Sequence, residues 1–218
     1  MQPLHENEPT AALSTPGAVG ANAGTTRTST RAGTTTDVAL VATFAALIAV
    51  CAMLPSMAVA GMAVPITLQT FGVMLAGVVL GARRGALAVL LYLAVGFAGL
   101  PVFAQGTGGL AVLAGPSAGY LIAFPLAAAL AGYLAGFAAR VRPALRALVL
   151  FGAATAGNLI FTHPIGIAVM GWRLGLPAGD AIKLGATFLP GDVIKNVLVA
   201  VVAAAVFRAF PDMLRRRR

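Results

Sequence analysis

Residues Thr67–Leu100 read TLQTFGVMLAGVVLGARRGALAVLLYLAVGFAGL. An apolar run reaches Gly81, the pair Arg83-Arg84 interrupts it, and a second apolar run begins at Gly85 and stops before Pro101. Neither run carries a charge, so neither offers the polar face that a surface helix of a soluble globule turns to water. Both read as membrane segments. Each is shorter than the roughly 20 residues that a span usually needs. Gly81 to Gly85 could instead be a kink within one long helix.

The rest of the chain agrees with this reading. Of 218 residues, 59% are hydrophobic and 10% charged, and the mean hydropathy is +0.92. With glycine counted in, the apolar share is about 70%, against about 45–50% in soluble domains. A soluble globule has no interior large enough for that much apolar surface, which excludes a cytosolic enzyme. One cysteine, Cys51, allows no internal disulfide and no cysteine-built metal site. The expected fold class is an all-α integral membrane protein.

Six apolar segments follow Asp37: Val38 to Pro55, Thr67 to Gly81, Gly85 to Leu100, Ser117 to Ala139, Ala147 to Gly171 and Asp192 to Ala209. Six crossings put both termini on one side. That side holds twelve basic residues: Arg27, Arg31, Arg83, Arg84, Arg140, Arg142, Arg146, Arg208 and Arg215 to Arg218. The other side holds Arg173 and Lys183. Loops rich in Lys and Arg stay in the cytoplasm, so the asymmetry predicts six transmembrane helices with both termini cytoplasmic. Most of the net charge of +9 is thereby an orientation signal, and nucleic acid is not an expected partner.

The chain divides accordingly. Residues 1–36, with Thr25-Thr26-Arg27-Thr28-Ser29-Thr30, bury too little to offset their ordering entropy and read as a disordered cytoplasmic tail. They lack the apolar core of a secretory signal. Residues 37–211 form the membrane domain, and residues 212–218 a basic cytoplasmic tail. Three outer segments, Gly61 to Gln69, Pro101 to Gly119 and Trp172 to Pro190, are rich in Gly and Pro but poor in charge. Irregular backbone at membrane depth is tolerated where it is buried in protein or lines a cavity. These segments are therefore expected to fold over the bundle and line an outward pocket.

Asp192 and Lys195 follow the helix-start signal Pro190-Gly191 and share a face, being three apart. Ionisable residues on a spanning helix cost about 2.5–3.5 kcal/mol each by insertion scales, and usually mark a site or pair with each other. Both explanations stand on spacing alone. Together the two residues suit a ligand with N–H donors and a carboxylate. Gly115-Pro116-Ser117-Ala118-Gly119 matches the G-x-S-x-G elbow, and His163 lies in the fifth segment. A serine hydrolase is therefore the alternative, although the elbow needs a strand–turn–helix setting that this chain does not offer. No His, Cys or carboxylate lies near His163 at a metal-ligand spacing, so no metal is expected. Asn158 and His163 can hydrogen-bond across helices instead. Small-residue spacings recur at Ala42/Ala46, Ala45/Ala49, Gly77/Gly81 and Gly132/Gly136. They permit close helix contact within the bundle or with an outside partner. Lys183 and Lys195 both follow Ile, so the chain contains no P-loop. Gln105-Gly106-Thr107-Gly108-Gly109 does not follow a strand and is no dinucleotide site.

The run Val64 to Phe103, then GTGG, GPSAGYL (Gly115 to Leu121) and FLPGDVIKNV (Phe188 to Val197) resembles the BioY family over about residues 37–210. These are the biotin-specific substrate-binding (S) components of energy-coupling factor transporters. The resemblance implies a six-helix fold that holds biotin near the outer face under loops one, three and five. It implies a vitamin-capture subunit of the bacterial cytoplasmic (inner) membrane that is not an enzyme and carries no cofactor. Its partners would be the lipid bilayer, a transmembrane coupling protein and a pair of ABC-type ATPases, with homo-oligomerisation left open. Asp192 and Lys195 match the family's ligand contacts, and Tyr120 or Phe188 would cover the ring. Gln69, Gly115, Ser117 and Asn158 complete the expected binding set. Ala42, Ala45, Ala46 and Ala49 match the family's docking face for the coupling protein. Some members carry an Arg just after the GPxxGY run; here Ile122 and Ala123 stand there, and the next cation is Arg140.

Overall fold

The structure, a computed structural model, describes residues 26–54 and 64–215, with side chains described over 34–54 and 64–214. It is a helical bundle. Four stretches among the described residues are long and apolar enough to cross a membrane: Thr34–Met53, Ala118–Ala139, Pro143–Leu174 and Leu189–Ala209.

Helix α1 spans Thr26–Met53, so the chain is helical well before the apolar segment begins at Val38. The tail expected over residues 1–36 thus divides. Residues 1–25 lie outside the described residues, and 26–36 open α1. Helices α2 (Gln69–Leu80) and α3 (Ala82–Phe97) are two separate elements rather than one kinked helix. Gly81 between them has φ +88°, a conformation open chiefly to glycine. The chain reverses there so tightly that a Cβ on Gly85 would lie 2.6 Å from the Cα of Gly77. In a straight helix those two residues would stand about 12 Å apart along the axis.

Helix α4 (Ala118–Ala135) continues through a 3-10 turn, Gly136–Ala139. It is the central element and packs on α2, α3 and the fifth and sixth helices, α5 (Arg146–Gly157) and α6 (His163–Leu174). Its inner residues are small: Ala118, Ala123, Ala127, Ala128, Ala131 and Ala135 are all buried. Lipid offers no hydrophobic drive for helix pairing, so close van der Waals packing has to supply it. Gly77 of α2 lies against the Ala128 carbonyl, and Gly132 lies against the Gly81–Ala82 turn. Gly136, by contrast, has open space around it. The Gly77/Gly81 and Gly132 spacings therefore serve the inside of the bundle.

Helix α7 (Ala178–Ala186) is short and packs on α6. Helix α8 (Leu189–Ala209) packs on α2 and α5, and α9 (Pro211–Arg215) follows it. Residues 216–218 of the expected basic tail lie outside the described residues. At the arginine-bearing end, Arg84 Nη2 meets Asp37 Oδ1 at 2.7 Å, tying α3 to α1. Both side chains are well exposed, so this pair adds little stability.

Candidate functional site

A cavity of about 250 Å³ opens among the helix ends away from those arginines. Its walls come from five places: residues 64–70 leading into α2, the loop 103–117, the first turns of α4, the pair Thr162-His163, and Phe188 with the first turns of α8. Most of the wall is apolar, including Val64, Ile66, Phe103, Val112, Leu121 and Phe124. Of the three outer segments expected to line a pocket, the first two do so along much of their length. The third contributes Phe188. Residues 61–63 of the first segment lie outside the described residues.

The polar groups gather on α8. Pro190 in its first turn needs no N–H partner there, and the carboxylate of Asp192 sits at the positive end of the helix dipole. Lys195 Nζ donates to Asp192 Oδ1 at 3.0 Å and to Thr70 Oγ1 at 3.1 Å. Thr70 Oγ1 donates to the same Oδ1 at 3.0 Å. His163 Nε2 lies 3.1 Å from the other oxygen, Oδ2. The imidazole and Oδ2 are thus immediate neighbours, and neither ring nitrogen of His163 has a hydrogen-bond partner of good geometry among the described residues. Tyr120 Oη and Thr162 Oγ1 are buried and unpartnered in the same way. Over 90% of buried polar groups in folded proteins find a partner. Three such residues around one cavity therefore point to a polar ligand.

Local sequence explains why Thr162 and His163 face inward. Pro164 has no N–H and cannot close the helical bond one turn back. The chain widens into a π-turn over Asn158–Thr162 and resumes as α6 at His163. Such bulges change which residues face the bundle and are frequent at functional sites. Gly166, one turn on, leaves room for the Tyr120 ring, onto which a Cβ there would project. That ring lies 5.8 Å from Phe188, tilted by 59°.

The loop 103–117 is fixed by aromatic packing. Phe103 is edge-on to Tyr92 at 5.4 Å and to Phe97 at 5.2 Å, and it lies on the bare backbone of Gly96. Tyr92 Oη accepts from Gln69 Nε2 at 2.9 Å and donates to the Val102 carbonyl at 3.2 Å. This leaves the Gln69 side-chain carbonyl as an acceptor for the cavity. Farther along the loop, Arg173 Nη2 donates to the Leu113 carbonyl at 3.0 Å.

Of the residues singled out from sequence, Asp192, Lys195, Gln69, Gly115, Ser117, Tyr120 and Phe188 line the cavity together. Asn158 does not line it. Its Nδ2 donates to Asn196 Oδ1 on α8 at 3.2 Å, and Asn196 in turn donates to Thr155 at 3.3 Å. Nothing in the sequence singles out Thr70 or Thr162, and it offers His163 as a base, a metal ligand or a residue that packs and hydrogen-bonds across helices rather than as a ligand contact. The one local signal was the His-Pro step in the middle of a span. On α1, Ala45 is buried inside the bundle, Ala49 is half-buried, and Ala42 and Ala46, one turn away on the same small-residue face, are exposed.

The BioY family model matches residues 23–212, most of the chain. The chain belongs to the BioY family. It is 40% identical to the biotin transporter BioY of Rhizobium etli over 179 residues, covering 81% of this chain and 96% of the relative. Likeness to the biotin transporter BioY of Rhodobacter capsulatus is 42% over 192 residues, covering 83% and 98%. Its fold is similar to a crystal structure of the S-component for biotin from an ECF-type ABC transporter. That match has a TM-score of 0.72 and 27% identity, over 85% of this chain and 95% of the other. The serine hydrolase is set aside. Relatives across the family are named transporters. Ser117 enters α4 from a 3-10 turn rather than a strand, and His163 makes no hydrogen bond to it.

Proposed function

We propose that this protein is the biotin-capturing S subunit of an ECF-type transporter in a bacterial inner membrane. The observation that carries the reading is one buried charged cluster, Asp192–Lys195–Thr70, at the edge of a mainly apolar cavity. Biotin has the same amphipathic plan. It joins a ureido group with two N–H donors and a carbonyl to an apolar bicycle and a valerate carboxylate. Asp192 accepts a ureido N–H through Oδ2, the oxygen that Lys195 and Thr70 leave free. The tilted Tyr120–Phe188 pair covers the rings, while Gln69, Gly115 and Ser117 contribute polar wall.

Six crossings with both termini cytoplasmic complete the proposal, with α5 and α6 joined as one crossing and α2 and α3 taken as one each. At 1.5 Å per residue, the 12 residues of α2 extend only about 18 Å. A short span of this kind is accommodated by local thinning of the bilayer. The twelve-to-two asymmetry of basic residues supports the orientation. Energy comes from a transmembrane coupling protein and ABC-type ATPases. The coupling protein docks on the small-residue face of α1, where Ala42 and Ala46 are exposed. Titration calorimetry of the detergent-purified protein with biotin tests the reading. Saturable binding at one site per chain is expected, and its absence in folded protein refutes the function.

A further inference from the structure

The site just described leaves three buried hydrogen-bonding groups without a role. Thr162 Oγ1, Tyr120 Oη and the ring of His163 line the cavity, have no hydrogen-bond partner among the described residues, and belong to residues exposed by 1%, 8% and 5%. Thr162 and His163 come from the π-turn and the start of α6, and Tyr120 from the facing helix α4. All three can donate a hydrogen bond. We propose that Thr162 and His163, with Tyr120, form the donor set that receives the ureido carbonyl oxygen of the ligand, making them specificity-determining residues. This assignment rests on the biotin reading above.

Two observations favour the ureido oxygen over the valerate carboxylate. The first is position. His163 Nε2 is 3.1 Å from Asp192 Oδ2, so these donors stand beside the acceptor that takes a ureido N–H. A urea carries its N–H and C=O on one small planar group, whereas the carboxylate lies at the far end of a four-carbon chain. The second is occupancy. Lys195 already spends two of its three N–H donors on Asp192 and Thr70. One donor remains for an oxygen that has two lone pairs to satisfy. A carbonyl buried without donors loses the hydration it had in water, so further donors are required, and the unpartnered ones are within the same cavity wall.

Thr162→Val tests this directly because it preserves shape and deletes only the hydroxyl. Removing an unpartnered buried donor in favour of an isosteric methyl leaves a fold as stable as before, or more so. The ligand-free unfolding midpoint should therefore hold or rise, while biotin affinity falls about tenfold. His163→Leu is the second variant. Three probes read which end of the ligand is affected: biotin, biotin methyl ester, and 2-iminobiotin, whose guanidinium offers donors where the ureido oxygen offers an acceptor. The wild type should reject 2-iminobiotin strongly, since a site built to bond one group discriminates against an analogue lacking it. In both variants the preference for biotin over 2-iminobiotin should shrink by about the factor lost in affinity. The ratio of acid to methyl ester should stay unchanged. A changed acid-to-ester ratio with intact discrimination against 2-iminobiotin would assign these groups to the carboxylate and overturn the proposal. So would unchanged biotin affinity, or lost stability with all ligand ratios unaltered. Wild-type protein that binds no biotin refutes the function itself, a result read before any variant is made.

Discussion

Asp192→Asn, Lys195→Met and the double variant form a cycle that separates stability from binding. The side chains of Lys195 and Asp192 are only 10% and 7% exposed, so the modest values for surface ion pairs do not apply. Breaking a buried pair by removing one partner typically costs about 3–5 kcal/mol, because the remaining charge is buried without its counter-charge. Here the two halves are unequal. With Lys195 removed, Asp192 keeps Thr70 Oγ1 at 3.0 Å and His163 Nε2 at 3.1 Å. With Asp192 neutralised, the ammonium of Lys195 keeps the Thr70 hydroxyl at 3.1 Å and a neutral amide. Asp192→Asn should therefore be the more destabilising single change, and both should fall within about 3–5 kcal/mol. The double variant buries neither charge. Replacing a whole buried pair is often neutral or even stabilising, so it should return to within about 1 kcal/mol of wild type. Unfolding of the ligand-free protein in detergent reads the stabilities, and a biotin titration reads the site. All three variants should lose tight binding, including the stable double variant. Single losses that simply add in the double would refute the argument, since that result belongs to two independent contacts. A double variant that still binds biotin tightly would refute the assignment of the pair to the site.

Two further outcomes are expected. Gly166→Ala places a methyl group on the Tyr120 ring. The ring must swing toward the cavity, at an overpacking cost of about 1–3 kcal/mol, and biotin affinity measured by titration should fall; unchanged affinity would show that the ring escapes elsewhere. Ala46→Leu enlarges an exposed residue on α1. It should leave biotin binding and stability as in wild type but reduce biotin uptake by cells carrying the complete transporter, and full uptake would remove that face as the docking surface.

Much of the site could be found along the chain because its residues sit in segments of unusual composition. Asp192 and Lys195 are conspicuous as charges in an apolar run, and Gly115, Ser117 and Tyr120 fall in one short Gly/Pro turn. Thr70, Thr162 and His163 were not legible in this way. A threonine in a membrane helix is commonplace, since it can bond back to its own helix as Thr43 does to the Ala39 carbonyl. Nothing local distinguishes Thr70 from Thr43. Thr70 becomes part of the site through a contact with Asp192 across 122 residues. Asn158 shows the converse. Its sequence context groups it with the ligand residues, yet it stands outside the cavity wall with its Nδ2 on Asn196.

The sequence by itself determined the membrane class, since hydrophobicity and charge are sums over residues and need no contacts to be read. Tertiary structure decided what depends on direction. The left-handed turn at Gly81 folds α2 back onto α3 instead of letting one helix run on. The widened turn ahead of Pro164 turns Thr162 and His163 toward the cavity. The packing of α1 divides one alanine face, burying Ala45 and leaving Ala42 and Ala46 exposed. A helical residue's facing depends on every turn before it and on the neighbours that press against it. One turn of changed width re-aims all that follows, and hydropathy along the chain carries no record of that rotation.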